Sequence, residues 1–245
     1  MRGRLDKVLV ERGLASTRSR AKFMISSGVI LINGKLVKKS SQVVKKEDII
    51  QIVREVNPWV SRAALKLKYA IEAFKLAPLS GVALDVGAST GGFTEVLLAY
   101  GCNKVYAVDV GKGQLASKLR SDSRVLNLEG VNAKNLQELD IPQVDLIVCD
   151  ASFISFNKVI EVPLLFGKDN SKLIALIKPQ FEVGPKNVGK RGLVKNTIHQ
   201  REACSHVESF LNKEGWIVTN LQESPVLGSD GNIEFLIAAR RKIKK

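Results

Sequence analysis

Apolar residues in the first 50 positions recur at spacings that predict two short helices and then a β-hairpin. The inward-facing helical positions are Leu5, Val8, Leu9, Ala21, Met24 and Ile25. Gly13 ends the first helix, and Ser16 or Thr17 can cap the second. Asn33-Gly34 then lies between two apolar runs, which is the strongest short signal for a hairpin. The pattern therefore predicts a small α+β module.

From about residue 80 short apolar runs alternate with helical patterns. The runs predict strands at Val82–Val86, Val105–Val110, Val125–Leu128, Val144–Cys149 and Leu173–Ile177, followed by Trp216–Leu221 and Ile233–Ala239. The helical patterns fall around residues 92–100, 113–120, 157–166 and 197–213. This alternation predicts an α/β fold with a parallel sheet and helices on both faces. Pro58 and Trp59 mark a linker at 57–61, which separates a domain at 1–56 from one at 62–245.

Positive charge is concentrated in the first predicted domain. Residues 1–56 contain 13 Lys and Arg against 5 acids, an excess of 8, whereas the whole chain of 245 residues has a net charge of +14. A polyphosphate partner follows, because neutralising phosphates drives affinity for nucleic acid. A merely soluble basic surface, or attraction to anionic lipid, is the alternative.

Other features exclude several classes of protein. The longest apolar runs are of strand length, and no apolar stretch follows the basic N-terminus, so we expect neither a membrane protein nor a secreted one. The three cysteines are widely spaced and favour reduced thiols in a cytoplasmic protein. His199 and His206 lie seven positions apart in a helical stretch. We expect no metal site and no catalytic histidine.

The segment Leu84–Thr94 is a strand that runs into a glycine-rich turn and opens a helix. Glycines there permit a tight turn and close approach of the backbone to a ligand. Asp109 follows 22 residues after Gly87, at the end of the next strand, where a carboxylate can bind ribose hydroxyls. The arrangement fits an adenosine-containing cofactor. The candidate cofactor-binding residues are Asp85, Gly87, Ala88, Ser89, Thr90, Gly91, Gly92, Phe93, Asp109, Asn132 and Asp150.

Some of these residues also have a purely structural interpretation. Asp85 can cap the turn, and Gly91 and Gly92 can form a helix N-terminus. Asn132 can be an ordinary loop residue.

Four polar residues are candidates for catalysis. Lys66 lies on a helix before the first strand of the sheet, Asp150 and Lys178 end two strands, and Glu234 begins the last one. Ligands bind at the carboxyl ends of such strands. Glu234 joins the others only if the last strand is antiparallel. These residue types suit the activation of a weakly acidic hydroxyl such as a ribose 2′-hydroxyl. Either a lysine with a lowered pKa accepts the hydroxyl proton, or a cationic lysine stabilises the alkoxide. The carboxylates would orient the lysines.

The N-terminal stretch resembles the S4-like RNA-binding domain. The resemblance rests on Arg4-Leu5-Asp6, residues 16–22, Gly28–Lys35 and Asp48-Ile49-Ile50. The candidate RNA-binding cations are Arg4, Arg18, Arg20, Lys22, Lys35, Lys38 and Lys39. Together they suit folded RNA that is recognised by shape and phosphate.

The second domain resembles Rossmann-like class I methyltransferases of the FtsJ type. Asp85–Thr94 is similar to a motif that binds S-adenosylmethionine, and Lys66, Asp150, Lys178 and Glu234 match the Lys-Asp-Lys-Glu tetrad of 2′-O-ribose methyltransferases. The whole chain resembles the TlyA family, whose members carry the names haemolysin and rRNA cytidine-2′-O-methyltransferase. The resemblance implies methylation of a cytidine ribose in 16S or 23S rRNA by a cytoplasmic enzyme that uses S-adenosylmethionine and binds ribosomal RNA or ribosomal subunits.

Two other functions are compatible with the sequence. The chain can be a non-catalytic RNA-binding or ribosome assembly factor that keeps the fold. It can also be a membrane-lytic protein, although its apolar runs predict no spanning segment. We expect a monomer.

Overall fold

The computed structural model describes residues 3–15, 17–53, 59–228 and 230–243, and it does so without the side chains of Ser19, Arg20 and Phe23. Three of the expectations above therefore lie outside the described residues: the cap at Ser16, the RNA-binding side chain of Arg20, and linker positions 57–58. The chain forms two compact units, Met1–Pro58 and Trp59–Lys245.

The first unit has the predicted helix pair and hairpin. Its elements are β1 (Gly3–Arg4), α1 (Leu5–Glu11), α2 (Arg18–Ser26), β2 (Ile30–Ile32), β3 (Lys35–Leu36), β4 (Val43–Val44) and β5 (Ile50–Ile52). The hairpin is confirmed, because Ile32 pairs with Lys35 across the turn. Asn33 and Gly34 both have the positive φ, 50° and 78°, that such a turn needs. Leu5, Leu9 and Ile25 are fully buried at the centre of this unit.

The second unit alternates strands and helices. Its elements are α3 (Ala64–Ala73), β6 (Val82–Val86), α4 (Gly92–Ala99), β7 (Lys104–Asp109), α5 (Ser117–Arg120), β8 (Val125–Glu129), β9 (Val144–Cys149), α6 (Phe156–Leu164), β10 (Gly167–Ile177), α7 (Pro179–Glu182), α8 (Thr197–Lys213), β11 (Trp216–Glu223) and β12 (Phe235–Arg241). Three short 3₁₀ turns lie at Ala133–Glu138, Pro185–Asn187 and Lys190–Gly192.

The seven strands of the second unit form one sheet, ordered β11-β12-β10-β9-β6-β7-β8. The order reverses between β6 and β9, which are parallel neighbours. Alternate residues of these strands point to opposite faces. Leu84 and Val86 pack in the core that contains α6 and α8, whereas Ala83 packs with α3 and α4. The predicted arrangement of helices on both faces is confirmed.

Strand β12 is antiparallel to both β10 and β11. It begins at Phe235, so Glu234 lies just before the strand and at the edge where β10 ends. The last strand is therefore antiparallel, as it must be for Glu234 to lie at the same edge as the other candidate catalytic residues.

Two predicted segments differ from the structure. The helix expected at 113–120 is only the short α5, because Gln114 and Leu115 donate backbone N–H groups to the Glu129 carboxylate rather than entering a helix. Trp59 and Val60, expected in the linker, pack against the core around α3 and α4. Val60 N–H also donates to Glu95 Oε2 at 2.7 Å, which ties this segment to the second unit.

No helix in the described ranges is long and apolar enough to cross a membrane.

Candidate active site

Two buried lysine–carboxylate pairs line one cleft of the second unit. Lys66 Nζ donates to Glu234 Oε2 at 2.6 Å, with the two side chains only 8% and 4% exposed. Lys178 Nζ lies 2.6 Å from Asp150 Oδ1, with exposures of 9% and 13%. The four residues line a cleft of about 370 Å³. Charges buried to this degree are stable only when they are paired, so each lysine and its carboxylate depend on each other.

Lys178 has further partners beside Asp150. Its ammonium donates to Ser152 Oγ at 2.8 Å and to the Asp150 backbone carbonyl at 3.3 Å. Oδ1 of Asp150 is buried without an aligned hydrogen bond, so the contact with Lys178 is an ion pair rather than a directed bond. The ammonium is thus fixed from three sides. Sequence reasoning missed Ser152, and the only signal was its position two residues after Asp150.

The topology of the sheet explains why these groups meet. Asp150 follows β9, the partner of β6 at the point where the strand order reverses, and Asp150 N–H donates to the Val86 carbonyl at 3.1 Å. Crevices of this kind bind ligands in open α/β sheets. Glu234 reaches the same edge through the antiparallel β12. A Cβ at Gly228 would lie 2.6 Å from Glu234 Oε1 and would displace that carboxylate from its present position.

The glycine-rich turn follows β6 at the same edge. Gly87 has φ +83°, and a Cβ there would lie 3.0 Å from the backbone of Ala151. Ser89 also has positive φ, +48°. Gly87, Ala88, Ser89, Thr90, Gly92 and Phe93 all line the cleft. The turn therefore brings backbone close to any ligand that occupies the cleft.

Asp85 lies below the turn and is fully buried. Oδ2 accepts from the Thr94 hydroxyl at 2.6 Å, but Oδ1 is buried without a partner. Burial raises the pKa of this carboxyl from 3.8 to about 7. An unpaired buried carboxylate oxygen beside a glycine-rich turn is suited to a cationic or N–H donor from a ligand.

Besides Asp85, three of the predicted cofactor-binding residues lie outside the cleft lining and have structural roles. Asp109 accepts backbone N–H groups from Ser89 at 2.8 Å and Gly111 at 2.7 Å, so it holds the turn in place. Asn132 accepts from Lys134 N–H at 3.1 Å and caps the 3₁₀ turn that follows it. Gly91 has φ +92°, and a Cβ there would meet the side chains of Leu115 and Leu119.

An exposed aromatic residue lies at the cleft. Phe153 has 92% of its surface exposed and φ +64°, and its ring centroid lies 5.4 Å from that of Phe181. Phe153 was not predicted as a site residue, because nothing in the sequence marks this phenylalanine as exposed. Both rings line the cleft.

The candidate RNA-binding cations of the first unit are exposed where their side chains are described. Asp6, which is fully buried, accepts from Arg4 at 3.1 Å and from Arg18 at 2.9 Å. The hydrogen bond from Arg4 holds the pKa of Asp6 down at about 2. Asp6 therefore positions two of the predicted cations, a role that the sequence pattern did not show. Lys22, Lys35, Lys38 and Lys39 are exposed without carboxylate partners among the described residues.

Two family models match this chain. The FtsJ-like methyltransferase family covers residues 59–241, and the S4 domain covers residues 3–50. The fold and the cleft thus define a class I methyltransferase domain preceded by an S4 domain. The chain belongs to the FtsJ-like methyltransferase family.

Relatives with known names extend over nearly the whole chain. The 16S/23S rRNA (cytidine-2′-O)-methyltransferase TlyA of Mycobacterium tuberculosis is 40% identical, over 98% of this chain and 90% of the relative. The 23S rRNA (cytidine-2′-O)-methyltransferase TlyA of Campylobacter jejuni is 33% identical, over 92% and 95%. A solved structure from Streptococcus thermophilus that carries the name hemolysin has a TM-score of 0.76 and 34% identity, over 98% of this chain and 89% of that one. The predicted membership of the TlyA family is confirmed.

Proposed function

We propose that this methyltransferase transfers the methyl group of S-adenosylmethionine to a cytidine ribose 2′-hydroxyl in ribosomal RNA. The observation that carries the proposal is the convergence of Lys66, Asp150, Lys178 and Glu234 on one cleft as two buried ion pairs. These groups come from distant parts of the chain, and no packing requirement calls for two buried lysines.

The glycine-rich turn fits S-adenosylmethionine. Gly87 leaves space that a Cβ would fill, and the unpaired Oδ1 of Asp85 is an acceptor for the amino group of the cofactor. Asp109 and Asn132 lie at the ends of β7 and β8, where ribose and adenine contacts are expected, and we retain both as candidates. When bound, the cofactor supplies a methyl group already activated as a sulfonium.

The residues of the chain then act on the acceptor. Ion pairs with Asp150 and Glu234 fix Lys178 and Lys66 in place at the cleft. As the 2′-hydroxyl gives up its proton to solvent at the open cleft, a cationic lysine beside the 2′-oxygen stabilises the negative charge that develops before that oxygen takes the methyl group. Of the two roles considered for the lysines, the geometry supports this one. Fixed lysines also orient the hydroxyl for in-line attack.

The exposed Phe153 ring provides a flat surface at the mouth of the cleft on which a base can stack. The S4 domain supplies cations for RNA phosphates, and its buried Asp6 fixes two of them. The names of the two TlyA relatives support cytidine and rRNA as the target. One relative is named for both rRNAs and the other for 23S rRNA alone, so both subunits belong in the test.

The experiment is methyl transfer from labelled S-adenosylmethionine to purified 30S subunits, 50S subunits and free rRNA. We expect label on the ribose of a cytidine. We expect Lys178→Ala to abolish transfer and leave cofactor binding intact, because the proposal assigns Lys178 to the acceptor hydroxyl and not to the cofactor. Lys172→Ala, on the strand that Lys178 follows but away from the cleft, retains transfer. A wild-type protein that binds the cofactor and labels none of the three substrates contradicts the proposal.

A further inference from the structure

A second concave surface of the methyltransferase unit is basic and separate from the catalytic cleft. It has a volume of about 610 Å³ and is formed by the segment between α7 and the start of α8. Its lining includes four cations, Lys186, Lys190, Arg191 and Lys195. No carboxylate of the described residues lines it, and the sequence from Val183 to Arg201 contains no acid. We name this surface the basic cleft.

The four cations of the basic cleft have no counter-charges. Their side chains are exposed, and within the described ranges none of them is in a hydrogen bond or an ion pair. Lys66 and Lys178, in contrast, each have a carboxylate at 2.6 Å. Four like charges on one short loop repel one another, and an anion relieves that repulsion.

The loop that carries these cations has a fixed shape. Asn232 is 2% exposed, and its Nδ2 donates to the Gly192 carbonyl at 2.9 Å while its Oδ1 accepts from Val194 N–H at 3.0 Å. Gln200 Nε2 donates to the Val194 carbonyl at 2.8 Å. Asn232 lies two residues before Glu234. The basic cleft is therefore fastened to the same segment that presents a catalytic carboxylate.

The start of α8 adds to the preference for an anion. Asn196 caps this 17-residue helix and lines the basic cleft, so the positive end of the helix dipole faces it. His199 also lines it, and its Nδ1 is buried without a partner. These groups add a helix N-terminus and an unpartnered imidazole nitrogen to the unpaired cations.

We propose that the basic cleft binds backbone phosphates of the RNA substrate beside the nucleotide that is methylated. The inference rests on the proposed function, and it adds a contact made by the methyltransferase unit itself. The concave shape suits a phosphate chain, and the link through Asn232 places the contact on the segment that presents Glu234. A flat membrane surface has no need of such a cleft, and the lining offers no exposed large apolar side chain for insertion.

The test compares two triple variants of the full-length protein with the same change in charge. The first is Lys190→Gln/Arg191→Gln/Lys195→Gln. The control is Lys213→Gln/Arg240→Gln/Lys242→Gln, at the far end of α8 and β12, where the residues are also exposed. Affinity for 16S and 23S rRNA transcripts is measured from 50 to 300 mM KCl, with cofactor binding as the check on folding.

Each lost phosphate contact lowers the slope of log affinity against log salt by about 0.7. The first variant should therefore lose about 2 from the slope and bind about 50-fold more weakly near 0.15 M salt, if three contacts are lost. The control should keep the wild-type slope. The double variant Lys186→Gln/Lys195→Gln leaves the 3₁₀ turn at Lys190–Gly192 unchanged and should show about two-thirds of that decrease in slope. It replaces the triple variant in the test if the triple variant fails to bind cofactor.

Equal slopes for the first variant and the control overturn the inference. So does a first variant that keeps its rRNA slope but loses binding to vesicles of phosphatidylglycerol, because the cleft would then serve a membrane. A wild-type protein that binds rRNA but transfers no methyl group contradicts the proposed function instead, and the salt slopes still decide the role of the cleft.

Discussion

Replacing Lys66 with methionine should destabilise the methyltransferase unit much more than the same change two residues away. Lys66 and Glu234 form a hydrogen-bonded ion pair at 2.6 Å, and both side chains are less than a tenth exposed. Lys68, on the same helix, also has a carboxylate partner, Glu72 at 3.2 Å, but those side chains are 42% and 51% exposed. Lys68→Met is therefore a control matched in residue type, helix and pairing.

The magnitudes follow from burial. Removing one partner of a buried pair leaves the other charge without compensation and costs about 3–5 kcal/mol. An exposed pair contributes at most about 1 kcal/mol. Since each kcal/mol shifts the melting temperature of a unit this size by about 2–4 °C, Lys66→Met should lower Tm by about 6–20 °C and Lys68→Met by less than about 4 °C.

Thermal unfolding of the three proteins at pH 7 measures the difference. Lys66→Met/Glu234→Gln should recover at least about 2 kcal/mol relative to Lys66→Met, because no uncompensated charge remains. Methyl transfer should be absent in both variants that lack Lys66. If Lys66→Met and Lys68→Met melt within about 2 °C of each other, the pair is not the buried, mutually dependent unit described above.

Three further predictions concern single side chains. Ser152→Ala should lower kcat about tenfold with unchanged cofactor affinity, because Lys178 loses a hydrogen bond. Ser152→Thr, which keeps the hydroxyl, should restore the rate. An unchanged rate in Ser152→Ala would show that Ser152 does not position Lys178. The pKa of Asp85 in the folded protein is about 7, above its ordinary value of 3.8. The free energy of unfolding of the cofactor-free protein should therefore fall as pH rises from about 4 to 7. S-adenosylmethionine should accordingly bind several-fold more tightly at pH 7.5 than at pH 6, and this difference should be lost in Asp85→Asn, as calorimetry can show. The pKa of Asp6 is lowered to about 2, so its stabilising effect is present above about pH 4 and lost as pH falls towards 2. Chemical denaturation should show Asp6→Asn less stable than the wild type by about 1–3 kcal/mol at pH 7. This difference in stability should disappear as pH falls towards 2.

Much of the fold could be predicted because local patterns and tertiary packing agree. The Asn33-Gly34 turn and the alternation from Val82 onward appear as expected, and the last strand meets the antiparallel condition that was set for Glu234. The helix at 113–120 was overestimated. Its backbone N–H groups are taken by Glu129, a contact between distant positions that no helical period encodes.

The candidate site was predictable in its charged residues but not in their arrangement. Lys66, Asp150, Lys178 and Glu234 each stood beside a recognisable motif, whereas the pairing of Lys66 with Glu234 joins positions 168 apart in the chain. The roles of Ser152 and Asp6 were not predicted, because these roles depend on which side chains the two residues meet after folding.

Mapping the methylated position tests the central claim most directly. Ribosomal subunits from cells that lack this enzyme are incubated with S-adenosylmethionine and either wild-type protein or Lys178→Ala, and the rRNA nucleosides are then analysed by mass spectrometry. We predict 2′-O-methylcytidine at a defined position with the wild-type protein and none with Lys178→Ala. A methyl group on a base, or equal 2′-O-methylation by both proteins, would contradict the assignment of the cleft to ribose chemistry.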